Sequence, residues 1–378
     1  MNSGEIIAHH YATRRPVRLS WRDGLITDIT EVAEKSAKNL WLAPPLMDLQ
    51  INGYAGVDFQ RDDLTEEKLL HAARGLRRDG CARFFFTLIT DEWPRLMNRL
   101  ERACRLRAQS PELMEAIAGW HIEGPFLSQQ PGFCGAHNPA WMCDPTPEHL
   151  RTLRAVAGND PVLITVAPER VGAVEAIRLA RQLGMTVSLG HTNATADVLR
   201  EAVKAGATAF THLANGCPRE LDRHDNIVWR VADEPGLGAS FIPDGIHVSP
   251  APFRALHRLL GNDRLIYYTT DAMAAGGAAP GRYTLGNVEV EVGADQIVRQ
   301  PGKTNFAGSA LRPIDGVFRA AEMLRTPWQE CWWRFSETPA QFVGLRNQLG
   351  VGEPAVFCAI AWGEGNRVLS LQTNAGNR

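Results

Sequence analysis

Residues 185–216 constrain the fold of this 378-residue chain more than any other stretch. Met185–Leu189 is a short β-branched and apolar run between Gly184 and Gly190, the pattern of a buried strand. Ala194, Val198, Leu199, Ala202 and Val203 then recur at helical spacing, with Thr192 or Asn193 placed to cap the start and Gly206 to end the helix. Ala207–His212 reads as a second buried strand. A strand, a helix and a strand in so short a span form a right-handed βαβ unit with parallel strands. His191 and His212 then stand at the carboxyl ends of neighbouring strands, on the rim where α/β folds place their chemistry. A lone strand-end histidine is more often a hydrogen-bonded structural residue than a metal ligand. Two in one layer change that balance, and the rest of the chain has to decide it.

The alternation extends well beyond this unit. Leu46–Asn52, Ala82–Ile89, Glu115–Glu123, Val162–Ala167, Met185–Leu189, Ala207–His212, Leu237–Ile242 and Leu265–Asp271 all read as strands. Amphipathic helical stretches, among them Thr65–Asp79, Gly172–Leu183, Thr195–Lys204 and Pro250–Leu260, lie between most of them. Eight such strands predict a (β/α)8 TIM-type barrel over residues 44–348, for which about 250 residues is typical. The rival doubly wound sheet lacks its glycine fingerprint, since no GxGxxG follows an expected strand. After the eighth strand come a hairpin over Tyr283–Val298 and a helix from about Ser309 to Leu324. Val17–Trp21 and Leu25–Thr30 flank the turn Arg22-Asp23-Gly24, too little β structure to stand alone. Ala355–Ala361 and Arg367–Leu371 are its natural partners, which predicts a small β-sandwich domain built from residues 1–43 plus 349–378.

Composition narrows the function. Forty basic and 42 acidic residues give a net charge of −2, so nothing draws the chain towards nucleic acid or a membrane surface. No apolar run approaches the roughly 18 residues of a membrane span, and no secretory signal pattern opens the sequence. Seven scattered cysteines without a CxxC pair fit reduced thiols, so a cytoplasmic location is expected.

Glu123 ends the third expected strand, in Trp120-His-Ile-Glu-Gly-Pro-Phe, on the same rim as His191 and His212. A carboxylate and two imidazoles make a three-ligand set with room for water, as in catalytic zinc sites. Asp271 ends the eighth strand; it is either a helix cap or a general base, and the other three rim residues favour the base.

With these residues in view, the chain resembles the N-acetylglucosamine-6-phosphate deacetylases of the amidohydrolase superfamily along nearly its whole length. Pro45-Leu-Met-Asp-Leu-Gln-Ile-Asn-Gly, Trp120-His-Ile-Glu-Gly-Pro-Phe, Gly135-Ala-His-Asn-Pro, Ser188-Leu-Gly-His-Thr, Thr211-His-Leu-Ala-Asn, Pro243-Asp-Gly-Ile-His, Thr270-Asp-Ala-Met-Ala-Ala-Gly and Ala307-Gly-Ser carry the resemblance. It implies a homodimeric enzyme that removes the acetyl group from an amino sugar phosphate. By position, Glu123, His191 and His212 would hold a metal, Asp271 would be the acid/base and His137 would polarise the amide carbonyl. Asn215 and His247 would meet the sugar phosphate. Taken alone, His137 is equally a solvated loop residue, His247 a helix start and Asn215 a turn residue.

Gln50 and Asn52 stand where many amidohydrolases carry His-x-His, and Val166-Ala-Pro-Glu offers no bridging lysine. Neutral amides are weak ligands, so one divalent metal per chain is expected, zinc first and ferrous iron second. The chain also departs from the family where a short segment ends in Gly-Arg-Glu-Pro-Gly. Here residues 218–236 are longer and Asp233 occupies the position of the phosphate-binding arginine. Arg219, Arg223, His224 and Arg230 are the basic residues of that segment, and mid-segment Arg223 is the expected replacement. An unphosphorylated or epimeric N-acetyl hexosamine, an N-acyl amino acid, or a non-catalytic sugar-phosphate sensor are the competing readings.

Overall fold

The structure, a computed structural model, describes residues 3–33, 37, 39–261, 263–302, 306–363 and 367–374. Eight strands pair in chain order in one parallel sheet: β1 (Leu46–Ile51), β2 (Cys81–Ile89), β3 (Ile117–Glu123), β4 (Val162–Val166), β5 (Thr186–Leu189), β6 (Ala209–Phe210), β7 (Gly238–Phe241) and β8 (Ile266–Tyr268). These correspond one for one to the expected strands, so the (β/α)8 reading holds. Among the described residues no ladder joins β8 to β1. Instead the Asn52 N–H donates to the Ala272 carbonyl at 2.7 Å. Below it, the buried carboxylate of Asp48 accepts from both Thr269 and Thr270 side chains and from the Thr270 N–H. Burial pushes this carboxyl up to about 6, against the pull of those donors.

Helices cover the outside of the sheet because their apolar residues recur on one face. Glu66–Arg78 buries Leu69, Ala72, Ala73 and Leu76, and is capped by Thr65 with two glutamates in its first turn. In the central unit the cap falls to Thr195, which accepts from the Val198 N–H, rather than to Thr192 or Asn193. Thr192 is drawn away by Glu169. Gly206 ends that helix at a φ of 115°, which a side chain would resist.

The expected third strand started too early: Ser110 caps a short helix over Pro111–Ala116, with Pro111 at its first position. The helix expected from about Ser309 likewise begins at Pro313, because Ser309 still bridges to the end of the barrel through Ala272. Helices Trp93–Gln109, Pro147–Ala157 and Ile227–Asp233 complete the outer layer. Among the described residues no helix is long and apolar enough to cross a membrane.

Both chain ends contribute to one six-stranded sheet, in the spatial order 367–374, 357–363, 40–43, 4–10, 16–22, 25–31. Its apolar side gathers Ala8, Val17, Leu19, Ile26, Leu42, Ala355 and Phe357. Asn347 and Trp332 donate to the carbonyls of Pro45 and Pro44, which ties the C-terminal region to the entry of β1. The expected hairpin is a three-stranded sheet, Gly281–Leu285, Val288–Val292 and Val298–Arg299, lying at the carboxyl rim of the barrel. Asp58 holds it there by accepting from the Thr284 hydroxyl and the Gly286 N–H.

Candidate active site

Glu123 is the last residue of β3, and His191 and His212 lie just past β5 and β6. His191 and His212 adopt φ values of 49° and 35°, the left-handed region that non-glycine residues avoid. Turning there swings both imidazoles into the barrel mouth. The surroundings enforce the turn: Glu169 at the end of β4 accepts from the Thr192 hydroxyl and the Asn193 N–H, while Ser240 of β7 accepts from the His212 N–H. Glu123 Oε1 lies 2.9 Å from His212 Nε2 and 3.4 Å from His191 Nε2.

One donor atom from each of these three buried residues lies within 4.8 Å of the others. His191 donates its Nδ1–H to the Phe133 carbonyl at 2.8 Å, which leaves the Nε2 lone pair facing the cluster. Burial alone would raise the Glu123 carboxyl; the two imidazoles outweigh it and hold the group well below the usual range. A buried carboxylate and two convergent imidazoles, that of His191 oriented by Phe133, are a donor set that fits a divalent metal of the zinc class.

Asp271 follows β8, also with a positive φ of 52°, and receives a 2.7 Å hydrogen bond from Asn52 Nδ2 on Oδ1. Burial, then the charge of Glu123, raises its carboxyl far above the usual range. His137 is buried rather than solvated. Its Nδ1 accepts from the Thr90 N–H at 3.4 Å and lies 2.8 Å from the Thr90 hydroxyl, so Nε2 carries the proton and points towards Glu123 Oε2, 3.7 Å away. Burial lowers its pKa to about 3, which keeps it a neutral donor. Its ring centroid lies 4.6 Å from that of His191.

These groups open into a cavity of about 1150 Å³ that Asn215 and His247 also line. His247 donates from Nδ1 to Asp244 at 2.6 Å and packs on Phe306, which fixes its ring. Among the described residues the buried Nδ2 of Asn215 and Nδ1 of His212 meet no hydrogen-bond partner. Arg223 is not brought to the site: it is exposed, its Nε against the neighbouring His224, and it does not line the cavity. Asp222 draws this loop outwards by accepting from the N–H groups of His224 and Asp225. Arg219 lines the cavity in its place, and Arg99, the other arginine there, is neutralised by Asp62 and Asp91 at 2.6 Å each. Arg230 is spent on Asp225 and the carbonyl of Ala194.

Sequence reasoning missed Asn52, Thr90, Glu169 and Asp244 as partners of the site. The only signal for Asp244 was its spacing of three from His247; the others are distant in sequence from the groups they hold.

No protein-family model matches the chain. It is 29% identical to the N-acetylglucosamine-6-phosphate deacetylase of Vibrio furnissii, over 88% of this chain and 84% of that one. It is 32% identical to the Bos taurus enzyme of the same name, over 82% of this chain and 76% of the relative. Among solved structures, an aspartate-to-alanine mutant of N-acetyl-D-glucosamine-6-phosphate deacetylase from Mycobacterium smegmatis, in complex with N-acetyl-D-glucosamine-6-phosphate, superposes with a TM-score of 0.84 at 27% identity over 95% of both chains. The Pasteurella multocida deacetylase gives 0.83 at 25% identity, over 97% of this chain and 98% of that one.

Proposed function

The chain belongs to the N-acetylglucosamine-6-phosphate deacetylase family, and on that premise we propose that it hydrolyses the acetamide of N-acetylglucosamine-6-phosphate to glucosamine-6-phosphate and acetate. One observation carries the reading: the Glu123–His191–His212 triad, buried Asp271 and the neutral donor His137 meet in a single cavity. The triad would hold one divalent metal, zinc by its donor chemistry and ferrous iron as the alternative. When bound, such a cation supplies an activated water near neutral pH and Lewis-acid polarisation of the amide carbonyl.

The chain's own groups supply the remaining chemistry. Asp271 accepts the proton of the attacking water and returns it to the departing nitrogen. His137 presents Nε2–H to the carbonyl oxygen as it gains charge. Asn215 and His247 meet the sugar, and Arg219 takes the phosphate that Arg223 does not reach. The same reading carries a cytoplasmic homodimer whose two domains divide at residues 1–43 plus 349–378 and 44–348.

Acetate release from N-acetylglucosamine with and without its 6-phosphate, from its epimers and from an N-acetyl amino acid tests the proposal. The 6-phosphate should give the highest kcat/KM. No turnover of any acetylated sugar would sink it. Arg219→Ala should raise KM for the phosphorylated sugar about tenfold or more, the size of a charged hydrogen bond, and leave the unphosphorylated one nearly unchanged. Equal effects on both would remove Arg219 from the phosphate site.

A further inference from the structure

We propose that Asn52 is a positioning residue for the proton-transfer carboxylate, holding Asp271 so that Oδ2 alone serves the reaction. The inference rests on the deacetylase reading and adds to it a residue that has no ligand role. Asn52 Nδ2 lies 2.7 Å from Asp271 Oδ1, and the residue is 1% exposed. In this bond the amide nitrogen donates and the carboxyl oxygen Oδ1 accepts, which leaves Oδ2 as the oxygen not held by Asn52.

The arm that carries this donor is itself held on every side. The Asn52 N–H donates to Ala272, the residue after Asp271, at 2.7 Å. Its carbonyl accepts from the Phe59 N–H at 3.0 Å and from Gln60 Nε2 at 3.3 Å. One residue therefore grips both the backbone beyond Asp271 and the carboxylate itself, across the seam between β8 and β1.

Asp271 needs that grip. Its φ of 52° is one a non-glycine residue resists, and Glu123 repels its charge. Left with two equivalent oxygens and a free rotamer, the carboxylate would spend much of its time misdirected. A misplacement of about 1 Å costs on the order of 100-fold in rate. Asn52 Oδ1 is buried, without a partner among the described residues, and the residue lines the cavity.

A double-mutant cycle tests the proposal, with kcat, KM, metal content and thermal midpoint measured for each protein. Asn52→Ala should lower kcat about 10- to 100-fold, with KM within about threefold and metal content unchanged. In the Asp271→Ala background the same change should cost less than about twofold, because the group it positions is gone. Equal losses in both backgrounds, or loss of metal from Asn52→Ala, would overturn the proposal. Should Asn52→Ala fail to fold, Asn52→Asp keeps the shape and the backbone bonds but replaces the donor with an acceptor. It should lose at least as much kcat as Asn52→Ala, and wild-type kcat in Asn52→Asp would equally overturn the proposal. If Asp271→Ala itself retains more than about a tenth of wild-type kcat, the deacetylase mechanism fails at its base, which is separable from a failure of Asn52 alone.

Discussion

His191, His212 and Asp271 leave their strands with φ values of 49°, 35° and 52°. Each such turn costs on the order of 1–3 kcal/mol, and the neighbouring Glu169, Ser240 and Asn52 hold them in place. Strain shared by the two histidines and the opposing aspartate is the residue-level mark of a site built for function. Asp271→Asn should lower kcat by roughly 10²–10⁴ while metal content stays at the wild-type level. A loss under tenfold in steady-state assays would make Asp271 a structural cap. On the proposed mechanism, His137→Ala would remove one donor to the developing oxyanion. Its expected loss is about 10²–10³ in kcat, again with metal retained.

The elements act as carriers of these residues, and two glycines show how closely they pack. A Cβ on Gly135 would lie 2.8 Å from His191 Cε1, and one on Gly216 would lie 2.8 Å from His191 Nδ1, both at positive φ. Gly135→Ala or Gly216→Ala should therefore displace the imidazole and lower metal content, measurable by elemental analysis of folded protein. On the helix Pro250–Leu260, His257 donates to the Phe253 carbonyl and pairs with the Tyr268 hydroxyl of β8. Burial lowers its pKa to about 4 from the usual 6.5. The folded state thus binds fewer protons than the unfolded one between those values. Its contribution is whole above pH about 6.5 and is lost as pH falls towards 4, on the order of 2–3 kcal/mol. His257→Phe should flatten the fall in thermal midpoint between pH 7.5 and 5, and an unchanged slope would contradict this assignment.

At the scale of the whole molecule, a metal held by Glu123, His191 and His212 would staple the ends of three strands of the barrel. Purified protein should contain about one equivalent, and His191→Ala or His212→Ala should lose most of it. A chelator should lower the thermal midpoint of the wild type and leave that of the His212→Ala variant almost unmoved, since only binding to the native state stabilises. Two tightly bound equivalents would contradict the weak-ligand reading of Gln50 and Asn52. The order of strands, the rim position of Glu123, His191, His212 and Asp271, and the pairing of strands from both chain ends were legible in the sequence. Hydrophobic periodicity and turn residues are local signals, and a parallel barrel converts strand order directly into position on a rim. The start of β3 was misread because Ser110 and Pro111 open a helix whose apolar residues run straight into the strand. Three things only the tertiary structure decided. Asn52 donates to Asp271 because barrel closure brings positions 219 residues apart within 2.7 Å. His137 is a buried donor because Thr90, from another loop, fixes its tautomer. Arg219 rather than Arg223 faces the cavity because the path of a long loop depends on its anchors, Asp222 and Asn226, and not on where a charge falls along it.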